Sequence, residues 1–199
     1  MPDEPRPSRG GLFVVAGPSG VGKGTVIRRV LEIDPNVVLS VSATTRAPRP
    51  GEVDGVDYRF VSEEEFDRLV ASEALLEWAV IFGHHRSGTP SQPVEAARSE
   101  GRHVVLEIDV QGARQVRQRA PDAVLVFLAP PSLEELERRL RNRRTEDEAQ
   151  LAGRLAAARE ELAEASGFDH VVVNDEVNRA AEEIARILQG RAGTAPGAP

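Results

Sequence analysis

The sequence contains no cysteine and no apolar run long enough to cross a membrane. The lack of cysteine among 199 residues excludes a disulfide framework, a thiolate metal site and a cysteine nucleophile. No apolar run approaches the roughly 20 residues that span a bilayer. The first nine residues also lack the apolar stretch of a signal peptide. We therefore expect a cytoplasmic protein that is not held in a membrane.

Charge and size exclude further classes of protein. The chain has 25 basic and 32 acidic residues and a formal net charge of −7, which argues against a general nucleic-acid-binding protein. A hydrophobic content of 40% is ordinary for a globular protein, and the length suits one domain with small insertions. Both a monomer and a homodimer are compatible with these numbers.

Lysine is almost absent. The basic residues are 24 arginines and a single lysine, Lys23. A compositional bias explains the arginines and makes the exception informative, because a compact ammonium group fits where a planar guanidinium group does not.

Apolar runs alternate with helical patterns along the chain. Runs at residues 12–16, 37–41, 103–108, 123–128 and 171–173 are typical of strands buried on both faces of a parallel sheet. Helices are predicted at about 22–33, from Ser132 with its capping partner Glu135, around 151–162, and at 177–188. The alternation predicts an α/β fold with a five-stranded parallel sheet flanked by helices.

Two segments interrupt this alternation. Residues 43–91 are rich in turn signals, and Ser62 with Glu65 forms a capping box before a short helix near 66–69. The segment predicts a small inserted subdomain. Residues 138–154 are dense in arginine and acidic residues, and they form either a mobile flap or a solvated helix surface.

A glycine-rich segment follows the first predicted strand and opens the first predicted helix. Its glycines let successive N–H groups point inward, and with the positive end of the helix they cradle a phosphate chain. Lys23 would reach the β- and γ-phosphates of ATP. Gly24 stands where the general motif has Ser or Thr, so Thr25 or a water would supply an oxygen to Mg²⁺. The predicted ATP-binding residues are Gly17, Pro18, Ser19, Gly20, Val21, Gly22, Lys23, Gly24 and Thr25.

Two acidic residues, Glu107 and Asp109, end the third predicted strand. A carboxylate at the carboxyl end of a parallel strand faces the ligand crevice. It could hold Mg²⁺ through water, contact the phosphate acceptor, or cap the helix that begins near Gln111. The candidate metal ligands are therefore Thr25 and Asp109.

Arg46 and Arg49 lie in a proline-rich stretch. Pro48 and Pro50 forbid a helix there, so the arginines lie on a stiff, extended loop. Paired guanidinium groups suit a phosphate monoester. The single tyrosine, Tyr58, could donate to the same phosphate or belong to the core.

The sequence resembles the guanylate kinases over residues 11–188. The shared motifs, in the order of the family, are GPSGVGK, SVSATTRAPRPGEVDGVDY, LLEW, LEIDVQG, FLAPPS and VVVN. The resemblance implies a P-loop NTPase-type core with an inserted GMP-binding subdomain and a helical lid. The domain would span 10–189, with the core at 10–42, 92–139 and 158–189, the GMP-binding subdomain at 43–91, the lid at 140–157, and disordered tails at 1–9 and 190–199.

The resemblance also assigns residues to the acceptor nucleotide. Among them Arg46, Arg49 and Tyr58 would bind the phosphate. The physics of Glu77 agrees with a guanine contact, because guanine offers two adjacent donors that one carboxylate accepts, whereas adenine offers an acceptor at N1. The implied GMP-binding residues are Ser42, Arg46, Arg49, Glu52, Tyr58, Glu77, Thr89 and Asp109.

Residues 84–89, HHRSGT, depart from the family pattern Asn-Tyr-Tyr-Gly-Ser/Thr and are one residue longer. Aligning Gly88 and Thr89 with the end of that pattern leaves the second family tyrosine, a phosphate ligand, without a counterpart. Our hypothesis is that Arg86 replaces it with a charge. His84 and His85 do not predict a metal site, because adjacent side chains point apart and no third ligand is evident.

The arginine-rich segment is explained by the same resemblance, which places Arg139, Arg143 and Arg154 near the ATP phosphates when the lid closes. Arg139 and Arg143 are four residues apart and so share a helical face. Their charges would stabilise the phosphoryl group in transfer. With Lys23 and Arg46, these three arginines are the implied catalytic residues.

The activity that the resemblance implies is the transfer of the γ-phosphoryl group of ATP to GMP or dGMP, with Mg²⁺, in purine nucleotide metabolism. Closure of residues 43–91 and 140–157 would exclude water. One alternative is a non-catalytic guanylate-kinase-like binding module, which the retained Lys23 disfavours. Another is a kinase of a different nucleoside monophosphate. The GKGT sequence would permit it, but Glu77 and the SVSATTR segment argue against it.

Overall fold

The computed structural model of the chain describes residues 8–81, 85–142 and 148–192. The elements, in chain order, are β1 (Leu12–Ala16), α1 (Lys23–Ile33), β2 (Val37–Leu39), β3 (Ala43–Thr44), β4 (Arg59–Phe60), α2 (Glu63–Ala71), β5 (Leu75–Ile81), β6 (His85–Pro90), α3 (Ser91–Ser99), β7 (His103–Glu107), α4 (Val110–Arg119), β8 (Val124–Ala129), α5 (Leu133–Asn142), α6 (Glu148–Ala163), a 3-10 turn (Ala165–Gly167), β9 (His170–Val173) and α7 (Val177–Ala192).

The larger sheet has the strand order β2-β7-β1-β8-β9, and every pairing in it is parallel. All five residues of β1 are buried, because side chains on both of its faces pack against helices. One core includes residues of α1 and α7 on one face, and another includes residues of α3 and α4 on the opposite face. The predicted α/β fold with a five-stranded parallel sheet is confirmed.

The smaller sheet forms within residues 43–90, in the order β4-β3-β6-β5. Its central pairings, β3 with β6 and β5 with β6, are antiparallel. Phe66 of α2 packs beneath it with Ala43 and Leu75. As predicted, α2 begins after Ser62, whose Oγ accepts a hydrogen bond from the Glu65 N–H at 3.1 Å.

Helices α5 and α6 pack together through the buried side chains of Leu136, Leu140, Leu151 and Ala158. Residues 143–147, between them, lie outside the described residues. The prediction that α7 ends at 188 was wrong, because the helix runs through Gly190 to Ala192. Glycine lowers helix propensity by only about 1 kcal/mol, so it does not end a helix whose apolar face is already packed.

No helix in the described ranges is both long enough and apolar enough to cross a membrane.

Candidate active site

A cavity of about 480 Å³ lies between the carboxyl ends of the central parallel strands and one face of the smaller sheet. Strands β1 and β7 end at this point, and the segments that follow them carry the polar side chains. Several of the residues singled out from the sequence line the cavity together: Ser19, Lys23, Ser42, Arg46, Arg49, Tyr58, Glu77 and Asp109.

The segment between β1 and α1 curls tightly because its glycines adopt conformations that other residues avoid. Gly17 has φ of 150°, and a Cβ there would lie 2.2 Å from the Leu128 carbonyl oxygen. Gly20 has φ of 85°, and a Cβ would lie 2.7 Å from the Leu140 side chain. Side chains cannot be accommodated at these two positions, so the loop presents main-chain atoms to the cavity.

Lys23, the first residue of α1, folds back across this loop. Its Nζ donates to the Gly17 carbonyl oxygen at 2.6 Å and to that of Pro18 at 3.4 Å. The ammonium group therefore lies beside the helix N-terminus, where the helix dipole also attracts anions.

Two carboxylates lie near Lys23. Glu107 ends β7, and a Cβ at Gly24 would lie 3.4 Å from its Oε2. Burial raises the pKa of Glu107, while Lys23 and Arg28 oppose that rise. Burial raises the pKa of Glu161 of α6 as well, while Lys23 and the main chain of Ser19 oppose that rise. No sequence signal marked Glu161, except that it lies three residues after the buried Ala158 and so shares its helix face.

Asp109 lines the same part of the cavity and also caps α4. Its Oδ1 accepts a hydrogen bond from the Gly112 N–H at 2.7 Å. The capping role that the sequence left open is therefore real. Thr25, by contrast, is exposed on α1.

Glu77 forms the buried end of the cavity and is only 4% exposed. It lies opposite Thr89 in the β5–β6 pairing and accepts a hydrogen bond from the Thr89 Oγ1 at 2.7 Å. Burial raises the pKa of Glu77 to about 7, and the Thr89 hydrogen bond only partly opposes this. A poorly solvated carboxyl group fixed by one donor is a selective acceptor for further donors.

The loop after β3 holds Arg46 in a fixed geometry. Its two terminal nitrogens donate to the two Glu52 oxygens at 2.9 and 2.8 Å. The guanidinium carbon lies 5.2 Å from the centre of the Tyr58 ring. Glu52 also accepts from the Arg49 N–H at 2.7 Å, and these bonds lower the pKa of Glu52. Glu52, implied to bind GMP, therefore contacts Arg46 and Arg49, the two arginines that the sequence predicts to bind phosphate.

The hypothesis that Arg86 takes part in the phosphate site was wrong. Its guanidinium group donates to Glu63 and Asp67 of α2 at 2.5 to 2.9 Å and lies 4.7 Å from the centre of the Phe66 ring. Successive residues of a strand face opposite sides. Arg86 faces α2, whereas its neighbours His85 and Ser87 line the cavity.

Sequence reasoning missed His85 and Ser87 as cavity residues. The signal was present in the alternation of side chains along β6, since Thr89, Ser87 and His85 are two residues apart. This alternation could be interpreted only once the limits of β6 and its pairing with β5 were known.

The arginines of α5 and α6 differ in their surroundings. Arg139 donates to Glu135, to the Val21 carbonyl oxygen at 3.2 Å and to the Asn174 carbonyl oxygen at 3.0 Å. It therefore ties the glycine-rich loop to the end of β9. Arg154 is partly buried on α6. Arg143 lies outside the described residues, and contact of these arginines with ATP stays a prediction.

Among the described residues, no three His, Asp or Glu side chains converge as a metal site. Glu107 and Asp109 nevertheless offer hard oxygen donors in the cavity that Lys23 and the glycine-rich loop also line. This donor set fits Mg²⁺, which is commonly held by one or two carboxylates together with substrate phosphates and water.

Comparisons with known proteins agree with this geometry. The family model described as guanylate kinase matches residues 9–191. A guanylate kinase of Nocardia farcinica (strain IFM 10152) is 56% identical over 181 residues, covering 90% of this chain and 94% of the relative. One of Mycobacterium sp. (strain MCS) is 55% identical over 190 residues, covering 94% and 96%.

A solved structure gives the same answer at the level of the fold. The crystal structure of guanylate kinase from Anaplasma phagocytophilum has a TM-score of 0.77 and 35% sequence identity, and covers 95% of this chain and 89% of that one. The chain belongs to the guanylate kinase family of nucleoside monophosphate kinases.

Proposed function

We propose that the cavity binds GMP or dGMP beside ATP, and that the protein transfers the γ-phosphoryl group of ATP to give ADP and GDP or dGDP. The observation that carries this proposal is the meeting, in one cavity, of Lys23 in its glycine-rich loop with the buried Glu77–Thr89 pair. The first suits a nucleoside triphosphate and the second suits guanine. The product would enter purine nucleotide metabolism.

Glu77 selects the base. In its ionised form the carboxylate accepts the guanine N1–H and the exocyclic NH₂, two donors that adenine does not present side by side. An AMP molecule would leave the buried carboxylate facing a lone pair, which is costly in a site of this kind. Ser42 and Asp109, which also line the cavity, would complete the base contacts.

Arg46 and Arg49 hold the acceptor phosphate, with Tyr58 as a further donor. Glu52 fixes the Arg46 guanidinium before substrate arrives, so less rotational freedom remains to be lost on binding. The phosphate oxygen of GMP is thereby kept in a defined place for attack.

Residues 17–24 hold the donor nucleotide, with main-chain N–H groups directed at its phosphates and Lys23 beside them. A GMP phosphate oxygen attacks the γ-phosphorus directly, forming one P–O bond as the bond from that phosphorus to the β–γ bridging oxygen breaks and ADP leaves. No protein nucleophile is needed. Lys23 stabilises the negative charge on the phosphoryl oxygens during transfer.

Glu107 and Asp109 are the residues we propose to hold Mg²⁺ with the nucleotide, directly or through water. When bound, Mg²⁺ neutralises part of the phosphate charge. Thr25, the other ligand considered from the sequence, is exposed on α1 and is the weaker candidate.

A coupled assay of purified protein with ATP, Mg²⁺ and each of GMP, dGMP, AMP, CMP and dTMP tests the proposal. We expect turnover with GMP and dGMP alone. Faster turnover with another monophosphate would assign a different kinase. Binding of GMP without ADP formation would assign a non-catalytic module.

A further inference from the structure

His85 is the first residue of β6 and lies on the face of that strand that meets the cavity. Strand β6 directs alternate side chains to opposite sides. Thr89 contacts Glu77, and Ser87 and His85 follow on the same face and line the cavity. The intervening Arg86 is held by α2 on the other face.

Strand β3 leads from its pairing with β6 towards Arg46. Thr44 lies opposite Ser87, where the antiparallel pairing ends. The two chains stay in contact for one more residue, because the Thr45 N–H donates to the Arg86 carbonyl oxygen at 3.0 Å and the Arg86 N–H donates to the Thr45 Oγ1 at 3.0 Å. Arg46 and His85 follow on the two chains, and both line the cavity.

Several charged or titratable groups line the cavity with this imidazole: Lys23, Arg46, Arg49, Asp57, Tyr58, Glu77, Glu107 and Asp109. On the opposite face of β6, Glu63 and Asp67 of α2 are paired with Arg86. Arg46 and Arg49 are the residues proposed to hold the acceptor phosphate, so His85 shares the cavity with that site.

We propose that His85 is a further ligand of the acceptor phosphate, to which an imidazole N–H donates a hydrogen bond. The proposal rests on the proposed function and adds a residue to it. A hydrogen bond to an anionic phosphate oxygen is stronger than one between neutral groups.

Calorimetry on His85→Leu and the unmodified protein tests this, with GMP and guanosine as ligands at pH 8. Guanosine shares the base and lacks the phosphate. We expect the substitution, which removes the imidazole donor, to weaken GMP binding about tenfold, with guanosine affinity unchanged.

Arg86→Gln is the matched control, since it alters the same strand on the face away from the cavity. Its GMP affinity should equal that of the unmodified protein. Equal GMP affinity in His85→Leu and the unmodified protein, or equal losses of GMP and guanosine affinity in His85→Leu, would overturn the proposal. Absence of GMP binding to the unmodified protein would instead overturn the proposed function.

Discussion

At the scale of single residues, the proposed function makes guanine binding depend on the ionisation of Glu77. Burial raises its pKa to about 7, so below that pH most molecules carry a proton where guanine needs an acceptor. We expect guanosine affinity to fall as pH is lowered from 8 to 6. Guanosine is the right ligand because it has no phosphate to titrate. Constant affinity over this range would show that Glu77 is ionised throughout.

Because its pKa is raised, ionisation of Glu77 lowers the free energy of unfolding of the ligand-free protein at neutral pH. The folded protein holds this proton more tightly than the unfolded chain, so the contribution to stability is full below about pH 4.5 and is lost as the pH rises to about 7. We expect Glu77→Gln to stabilise the protein at pH 8 by up to about 3 kcal/mol, and by little at pH 4, in urea unfolding. GMP turnover should be lost. A variant less stable than the original at pH 8 would contradict this.

Lys23 is the residue whose replacement should damage transfer most. We expect Lys23→Ala to lower kcat by about 10²- to 10³-fold, measured with saturating ATP and GMP. Lys23→Arg should restore little, because its planar group does not fit the contacts to the Gly17 and Pro18 carbonyl oxygens. Arg29→Lys, on an exposed part of α1 paired with Glu32, serves as the control. Near-normal turnover of Lys23→Ala would show that Lys23 does not stabilise the phosphoryl group during transfer.

At the scale of elements, the glycines around the start of α1 differ in whether they can carry a side chain: Gly17, in the loop before α1, cannot, whereas Gly24, in the first turn of α1, can. A Cβ at Gly17 would overlap the Leu128 carbonyl oxygen, whereas one at Gly24 would touch the Glu107 carboxylate at an ordinary 3.4 Å. We expect Gly17→Ala to cost about 3 kcal/mol or more of stability and Gly24→Ala to cost less than about 1 kcal/mol. Thermal unfolding of the two variants decides this, and equal losses would mean that the loop relaxes.

Strand β6 illustrates why part of the site could not be read from the sequence. The buried strands of the larger sheet can be predicted from the sequence, because both of their faces are covered and their residues therefore form continuous apolar runs. The chain from 85 to 90 is polar on both faces, so its sequence does not show which face meets the cavity. That face follows from the register with β5 and β3, a tertiary property. The short strands β3 and β4, of two residues each, escape prediction for a similar reason.

At the scale of the whole molecule, α4 joins the two sheets. It follows β7 of the larger sheet, and its Gln115 forms two hydrogen bonds with the main chain of Trp78, at 3.2 and 2.8 Å. Trp78 is next to Glu77, and a Cβ at Gly112 would lie 2.7 Å from a Glu77 oxygen. The strand that carries Glu77 is therefore attached, through α4, to the larger sheet and its glycine-rich loop.

Loosening this attachment should affect one substrate more than the other. We expect Gln115→Ala to lower stability by about 1–2 kcal/mol and to raise KM for GMP several-fold with KM for ATP unchanged. Steady-state kinetics with each substrate varied in turn provides the measurement. Gln118→Ala, on the same helix, is the control. Equal effects on both KM values would mean that the two sheets respond as one unit.

The Arg46–Glu52 pair has a consequence for which anions the empty pocket attracts. A bare guanidinium beside a second arginine would collect free inorganic phosphate, which is far smaller than a nucleotide. Both terminal nitrogens of Arg46 already donate to Glu52, so an anion that binds there must share the guanidinium group with this carboxylate. A small anion also lacks a base that could contact Glu77. On the proposed function, we therefore expect the pocket to bind inorganic phosphate more weakly than a nucleoside monophosphate, which would contact both Arg46 and Glu77.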